Sequence, residues 1–508
     1  MDTIVVLDFG GQYTHLISRR IRDLNVFSHV MPAETSVEEV KSIKGLKGVI
    51  FSGGAASVYD KDSPKCDKAM LDVGVPVLGI CYGHQLISLL EKGKVTYGMK
   101  GEYGITDLEI TKEGSLLKEA GRTLKVWMNH RDIVEHLPEG YETVAATRNS
   151  PVAAFENPLK HVYGVQFHPE VTHTQNGMKI LENFASGICK ARKEWTSGLF
   201  VEKAVREARA TIGNKKAVIG LSGGVDSSVS AVLMSKAIGR NLTAVYVDTG
   251  MMRHRETEFI KKTFSKYDLD LRIVDASDRF FKALKGVTDP EKKRKIIGKT
   301  FIEIFDKVAD DVGAEYLVQG TIYSDRIESG HSKHSSRIKS HHNVGGLPED
   351  MKMRVYEPLR DIYKDEVRKV AEELDMPMDI IKRHVFPGPG LGVRIVGEVT
   401  PEKAEIVRKA SYIIETELEE AGLHEKAWMA FAILLSVKSV GVQGDERSYK
   451  YPVVVRIIES EDAMTANFTK VPYKLLEKIS TRITNEIKEV NRVVYDITNK
   501  PPATMEWE

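Results

Sequence analysis

At 508 residues the chain exceeds what one hydrophobic core usually supports, so two to four domains are expected. It is 42% hydrophobic and 29% charged, with Lys+Arg 73 against Asp+Glu 72 and a net charge of +1, so no overall basic excess calls for nucleic acid and only a local basic patch is left open for it. Three scattered cysteines (Cys66, Cys81, Cys189) argue against a disulfide framework, and no stretch approaches the roughly twenty apolar residues of a membrane helix, so a cytoplasmic protein without membrane partners is expected.

The N-terminal "MDTIVVLDFGGQ" lacks a basic leader and reads as a strand. Over the first 190 residues, runs such as "TIVVLDF", "GVIFSGG" and "VPVLGICYG" end in glycine-rich turns, as buried parallel strands do, and alternating strands and helices are expected. "VPVLGICYGHQL" places Cys81 between Gly79 and Gly83, the thiol form of the G-x-S-x-G elbow. A buried structural cysteine is the bland alternative. Downstream, "VYGVQFHPEVTH" reads as a strand ending in His168-Pro169-Glu170; in extended chain, i and i+2 share a face, so the carboxylate can orient the imidazole. Cys81, His168 and Glu170 then form nucleophile, base and orienter. A metal cluster of His168, Glu170 and His173 is the weaker alternative, because the spacing is not H-E-x-x-H.

After a charged joint, a second α/β series begins near residue 215 with "KAVIGLSGG", "LTAVYVDTG" and "AEYLVQGT". "AVIGLSGGVDSSVSAVL" runs a strand into Ser222, Gly223, Gly224, Val225, Asp226, Ser227 and Ser228, then into a helix. Two glycines, three hydroxyls and a helix N-terminus suit phosphate oxygens. Gly298-Lys299-Thr300 mimics the end of a Walker A loop, but Ile297, Phe301, Ile304, Phe305 and Val308 have helical spacing, so a helix is predicted. A third section follows "RHVFPGPGLGVRIVG" and includes "YPVVVRII", which alternates like a half-buried strand.

"GICYGHQ" and "GVQFHPE" resemble class I glutamine amidotransferase domains over residues 1–188. That likeness implies a flavodoxin-like glutaminase working through a thioester, with an oxyanion hole at the Gly54 and Tyr82 N–H groups. It also implies that Gln85, Asn129, His130 and Asp132 lie near bound glutamine. "SGGVDS" is similar to the PP-loop ATP pyrophosphatases, which implies an adenine-nucleotide α-hydrolase-like domain holding ATP with Mg²⁺ on residues 222–228, and Asp248 at the adenosine edge. Ammonia passing from one site to the other implies a shielded route.

"QGTIYSDRIES", "IKSHHNVGGLP", "RHVFPGPGLG", "VGVQGDERSY" and the terminal "KPPATMEWE" resemble the glutamine-hydrolysing GMP synthetase family. The resemblance implies amination of xanthosine 5′-monophosphate (XMP), with ATP, XMP and glutamine as substrates. It implies a lid carrying Asp325, Glu328 and Lys339, an XMP site at Gln443, Lys500, Met505 and Glu506, and a homodimer through a smaller C-terminal α+β domain. The expected domains are 1–188, 189–383 and 384–508. A metal site at His331, His334, His341 and His342 is a lesser alternative; an RNA-modifying PP-loop enzyme and a non-catalytic nucleotide sensor are the rival functions. Ser324, the basic stretch between Ser329 and Ile338, and His84 depart from the family pattern. In the last ten residues, Pro501 and Pro502 are expected to hold the segment extended and Trp507 to bury the strand it sits on.

Overall fold

A computed structural model describes residues 1–323, 325, 353–460 and 465–508; Ser324, Glu328, Lys339 and the four histidines at 331, 334, 341 and 342 lie outside the described residues. The chain forms two compact units, Met1–Leu199 and Phe200–Glu508. Among the described residues no helix is long and apolar enough to cross a membrane.

In the first unit the apolar runs become β1 (Thr3–Asp8), β2 (Phe27–Pro32), β3 (Leu46–Phe51) and β4 (Val77–Ile80). Then come β5 (Lys94–Ile110), β6 (Thr123–His136), β7 (Glu142–Ala146), β8 (Ala154–Asn157) and β9 (Val162–Val165). One sheet holds all nine in the order β2-β1-β3-β4-β9-β8-β7-β5-β6. The first five in that order pair in parallel, the 2-1-3-4-5 order of flavodoxin-like sheets. Alternate residues of β1 serve the two faces. Ile4 and Val6 pack with Ile17 and Ile21 of α1 (Thr14–Asp23), while Val5 and Leu7 join Val37 and Val40 of α2 (Val37–Lys41) and Leu86 and Ile87 of α3 (Tyr82–Leu90).

Strict strand–helix alternation fails after α3. Strands β5 to β8 are antiparallel and follow one another without an α-helix. The reason is visible in β6, where buried and exposed residues alternate, so no continuous apolar run marks it. The strand before His168 also stops early: β9 ends at Val165, and His168 to Glu170 lie in a bend and turn.

After α4 (Gly177–Glu182) of the first unit, the second unit opens with α5 (Ser197–Ile212), whose first residues precede it in the chain. Its five-stranded parallel sheet has the order β12-β11-β10-β13-β14: β10 (Ala217–Gly220), β11 (Leu242–Asp248), β12 (Asp270–Asp275), β13 (Tyr316–Val318) and β14 (Arg354–Tyr356). The order reverses at β10, and such a reversal opens a crevice at the carboxyl ends of the strands. Helices α6 (Val225–Ile238), α7 (Glu256–Phe264), α8 (Ser277–Leu284) and α9 (Pro290–Val312) follow. The Walker-like Gly298-Lys299-Thr300 lies inside α9, which is capped by Asp289 (Lys292 N–H to Oδ1, 2.8 Å) with Pro290 in its first turn.

A third sheet combines β15 (Met429–Leu434), β16 (Ser439–Gln443), β17 (Glu446–Glu459), β18 (Asn467–Phe468) and β19 (Val490–Tyr495), with β17 pairing all the others. "YPVVVRII" is not half-buried: Val453 to Ile458 are all buried, because Val453, Val455 and Ile457 enter one core and Val454 and Ile458 another. Residues on both sides of position 384 share the larger of these cores, including Val218, Phe280 and Ile297 with Leu391, Ile406 and Val453.

Candidate active sites

Strand β4 feeds directly into Cys81, which has φ +53 and ψ −103 and sits one residue before α3. This positive-φ conformation is costly for a side chain with a Cβ, and such strain is characteristic of nucleophile elbows. Gly79 and Gly83 make the elbow possible. A Cβ on Gly79 would lie 2.5 Å from the Gly83 carbonyl, and one on Gly83 would lie 2.3 Å from the Phe51 oxygen.

The turn after β9 brings His168 to the elbow: a Cβ on Gly53 would lie 3.2 Å from His168 Cε1 and 3.8 Å from Cys81 Cβ. Its Nδ1–H donates to Glu170 Oε1 at 2.7 Å, and His168 Nε2 and Glu170 Oε2 are buried without hydrogen-bond partners. The contact expected from extended chain is thus made by a turn. Burial disfavours charge on His168, but the carboxylate of Glu170, together with Cys81, holds its pKa well above the ordinary imidazole value. The Tyr13 ring and the imidazole meet edge to face, with centroids 5.0 Å apart. His173 instead lies exposed against Trp127 at 4.9 Å, away from any ligand cluster with His168.

Neither the Gly54 nor the Tyr82 N–H donates a hydrogen bond among the described residues. A Cβ on Gly54 would meet the Tyr82 ring at 3.0 Å, so the two residues are in close contact. The Cys81 thiol faces the Asn129 carbonyl at 3.8 Å. Gln85 Nε2 donates to the Asp132 carbonyl at 2.7 Å and to Gln166 Oε1 at 3.1 Å, and Gln166 Nε2 reaches Cys81 Sγ at 3.8 Å. Gln166 is fully buried and was missed in the sequence, although it stands in the quoted "GVQFHPE" two residues before His168. His130 is turned into a buried pair with Glu102 (3.2 Å), and Asp132 Oδ2 accepts from Ser57 Oγ at 2.5 Å. His84 stacks on Phe155, and burial drives its pKa down to about 3, so it is neutral beneath the elbow.

In the second unit the loop after β10 closes on itself. Ser222 Oγ and Ser227 Oγ are 3.0 Å apart, and the Gly224 N–H points at Ser222 Oγ (3.3 Å). Of the three hydroxyls expected there, Ser228's is absent: it is fully buried and without a partner in α6, and its N–H returns to the Gly224 carbonyl. The cause is helical geometry, since Val225 and Ser228, three apart, share the inward face. Asp226 Oδ2 accepts from Lys364 Nζ at 2.5 Å, whereas Oδ1 is buried and partnerless. Lys364 lies 138 residues away, with no local motif to announce it. Asp248 closes a turn, accepting from the Gly250 N–H (2.9 Å) and Thr257 Oγ1 (2.5 Å). Asp325 accepts from the Ile322 N–H at 3.0 Å.

Around the third sheet, Gln443 ends β16, with Oε1 held by Lys450 and Nε2 on the Val490 carbonyl at 3.3 Å. Residues 499–508 are pinned throughout. Lys500 pairs with Ala466 (2.8 and 3.0 Å), the Met505 and Thr504 carbonyls accept from buried Arg456, and Glu506 forks onto Arg394 at 2.8 and 3.0 Å. Glu508 meets fully buried Lys293. Two expectations are corrected here. Pro501 and Pro502 form a turn closed by Ala503 N–H to the Asn499 carbonyl (3.0 Å), not an extended segment. Trp507 lies outside any strand and is 41% exposed, its Nε1 donating to Asp496 at 3.0 Å.

Three family models match the chain: Glutamine amidotransferase class-I over residues 5–188, NAD synthase over 197–297, and GMP synthase C terminal domain over 416–507. With the two sheets and their loops, these define a glutamine amidotransferase joined in one chain to an ATP-using nucleotide domain. A GMP synthase [glutamine-hydrolyzing] of Caldanaerobacter subterraneus subsp. tengcongensis is 54% identical over 100% of this chain and 99% of its own. Similar proteins of that description from Symbiobacterium thermophilum and Aquifex aeolicus are 51% identical over 100% and 50% identical over 99% of this chain, each over 99% of its own length. The chain belongs to the glutamine-hydrolysing GMP synthase family.

Proposed function

We propose that this chain makes GMP from XMP, with ammonia cut from glutamine in the first section and ATP consumed in the second. The observation that carries the first half is the strained elbow of Cys81 facing the His168–Glu170 pair. Cys81 Sγ attacks the side-chain carbonyl carbon of glutamine, and the Gly54 and Tyr82 N–H groups meet the developing oxyanion. His168 takes the Cys81 thiol proton as Sγ attacks and passes it to the departing ammonia, leaving a thioester; it then takes a proton from the attacking water and returns it to Sγ as the C–S bond breaks, which releases glutamate and restores the thiol. Glu170 keeps the imidazole oriented, and Gln85, Asn129, His130 and Asp132 form the wall along which glutamine lies.

In the second section, residues 222–227 hold the phosphates of ATP beside Asp248. The O2 oxygen of XMP attacks the α-phosphorus and pyrophosphate leaves; ammonia then adds at C2 and AMP leaves, giving GMP. Asp226 fits a divalent cation, since one oxygen is held by Lys364 and the other has no donor. Asp226 would hold Mg²⁺, which supplies charge neutralisation for the leaving phosphates. Asp325, Glu328 and Lys339 are assigned to a lid, and Gln443, Lys500, Met505 and Glu506 to XMP. We retain three functional sections, 1–188, 189–383 and 384–508.

A cytoplasmic homodimer is part of this reading. Cys66, Cys81 and Cys189 are free thiols. The outer face of β16 and β17 exposes Val440 (56%), Val442 (72%) and Tyr449 (64%), an apolar strand face suited to a second copy. Purified protein given XMP, ATP, Mg²⁺ and either glutamine or ammonium, followed by nucleotide chromatography, is expected to yield GMP from both nitrogen sources. No GMP from either would sink the assignment. Sedimentation is expected to show a dimer that Val442→Glu splits.

A further inference from the structure

The loop assigned to ATP phosphate is gripped from behind by residues remote in the chain. Gly223 has φ +76, and its carbonyl accepts from Arg383 Nη1 at 3.1 Å across 160 residues. The same guanidinium forks onto Glu256, with Nη1–Oε1 at 2.7 Å and Nη2–Oε2 at 2.6 Å. It also stands 4.3 Å from the centre of the Phe259 ring. Glu256 opens α7 and is 3% exposed. Its Oε1 sits so close to Gly223 that a Cβ there would come within 2.2 Å.

A trans peptide is planar, so the carbonyl of Gly223 and the N–H of Gly224 point in opposite directions. Tethering that carbonyl to Arg383 therefore aims the Gly224 N–H away from the guanidinium, toward Ser222 Oγ at 3.3 Å. Ser222 and Gly224 are the exposed residues of the loop. We propose that Arg383, locked by Glu256 and Phe259, is a positioning residue that fixes the Gly223–Gly224 peptide with its N–H presented to the phosphate oxygens of the nucleotide. Only a guanidinium suits the place. Its planar fork satisfies two carboxylate oxygens and a carbonyl at once, which a lysine ammonium cannot do in one plane. A plain surface ion pair is a poor description of side chains 17% and 3% exposed.

The inference rests on residues 222–227 being the ATP site. Calorimetry on the intact chain with ATP, and separately with adenosine, tests it in Arg383→Ala, Arg383→Lys and Glu256→Gln. Losing the tether should weaken ATP about tenfold in Arg383→Ala, the loss of one hydrogen bond from a charged donor. Adenosine, which has no phosphate, should bind as in the unaltered protein. Millimolar guanidinium should restore ATP affinity to Arg383→Ala, whereas Arg383→Lys should recover only part of it. Glu256→Gln keeps the side-chain shape and should weaken ATP in the same direction by less. The inference is overturned if Arg383→Ala binds ATP like the unaltered protein, or if ATP and adenosine weaken together without guanidinium rescue. Failure of the unaltered protein to bind ATP would instead remove the ATP-site reading on which the inference rests.

Discussion

Glu170→Gln changes one atom in a buried contact, and its effect can be worked from the geometry. The Glu170 side chain is wholly buried, and the carboxylate takes the Nδ1–H of His168 at 2.7 Å. A hydrogen bond to a charged group contributes ~1.5–3 kcal/mol, so losing the charge should slow glutamine hydrolysis by ~10- to 150-fold. The effect should also depend on pH with a definite sign. The folded pKa of His168 lies above its ordinary value, so the ion pair adds stability that is complete below about pH 6.5 and is lost as pH rises through the folded value. The melting temperature of the first unit should therefore differ most between Glu170→Gln and the unaltered protein on the acid side, and the two should converge as pH rises. Glutamate release and calorimetric melting, each followed against pH, measure the two effects. A pH-independent gap in melting, or an unchanged hydrolysis rate, would refute the ion-pair account. A parallel fall in ammonium-driven GMP synthesis would place Glu170 outside the glutaminase.

Cys81→Ala should abolish glutamine-driven GMP synthesis and keep the ammonium-driven reaction; loss of both would make Cys81 structural. Gly79→Ala forces a Cβ to 2.5 Å from the Gly83 backbone, a clash of about 1–3 kcal/mol or more. It should unfold the first unit at lower temperature, and an unshifted melt would mean the elbow has slack. Asp496→Ala strips fully buried Arg456 of its 2.5 Å carboxylate partner, which should cost the second unit about 3–5 kcal/mol, with Asp496→Asn costing less. Equal melts for both variants would mean that carbonyls alone satisfy the arginine.

What the sequence made legible was local. The elbow, the phosphate loop and the α9 helix each declare themselves within a dozen residues, since strand, turn and helix are set by near neighbours. Antiparallel β5 to β8 escaped because alternating strands have no continuous apolar run. "YPVVVRII" misled for the opposite reason: Arg456 looks like an outward residue, yet Asp496 and the carbonyls of residues 498, 504 and 505 satisfy it inside the core. No spacing rule in β17 could announce partners 40 to 49 residues away.

The last ten residues show how function and stability become joined in such places. Glu506 was expected at the XMP site, and here its carboxylate forks onto Arg394, whose guanidinium lies 4.0 Å from the centre of the Phe431 ring. Glu508 meets Lys293, an ammonium with no exposed side-chain surface. Removing residues 500–508 would leave Lys293 and Arg394 without these carboxylates and take two carbonyl acceptors from Arg456. Buried cations without partners are strongly destabilising. Loss of GMP synthesis on such a truncation would therefore say nothing about XMP by itself. Glu506→Gln asks the narrower question, because it keeps the shape and every backbone acceptor. A higher KM for XMP with an unchanged melt and unchanged ATP binding would assign Glu506 to the nucleotide. A lowered melt with XMP affinity unmoved would make it a strut for Arg394.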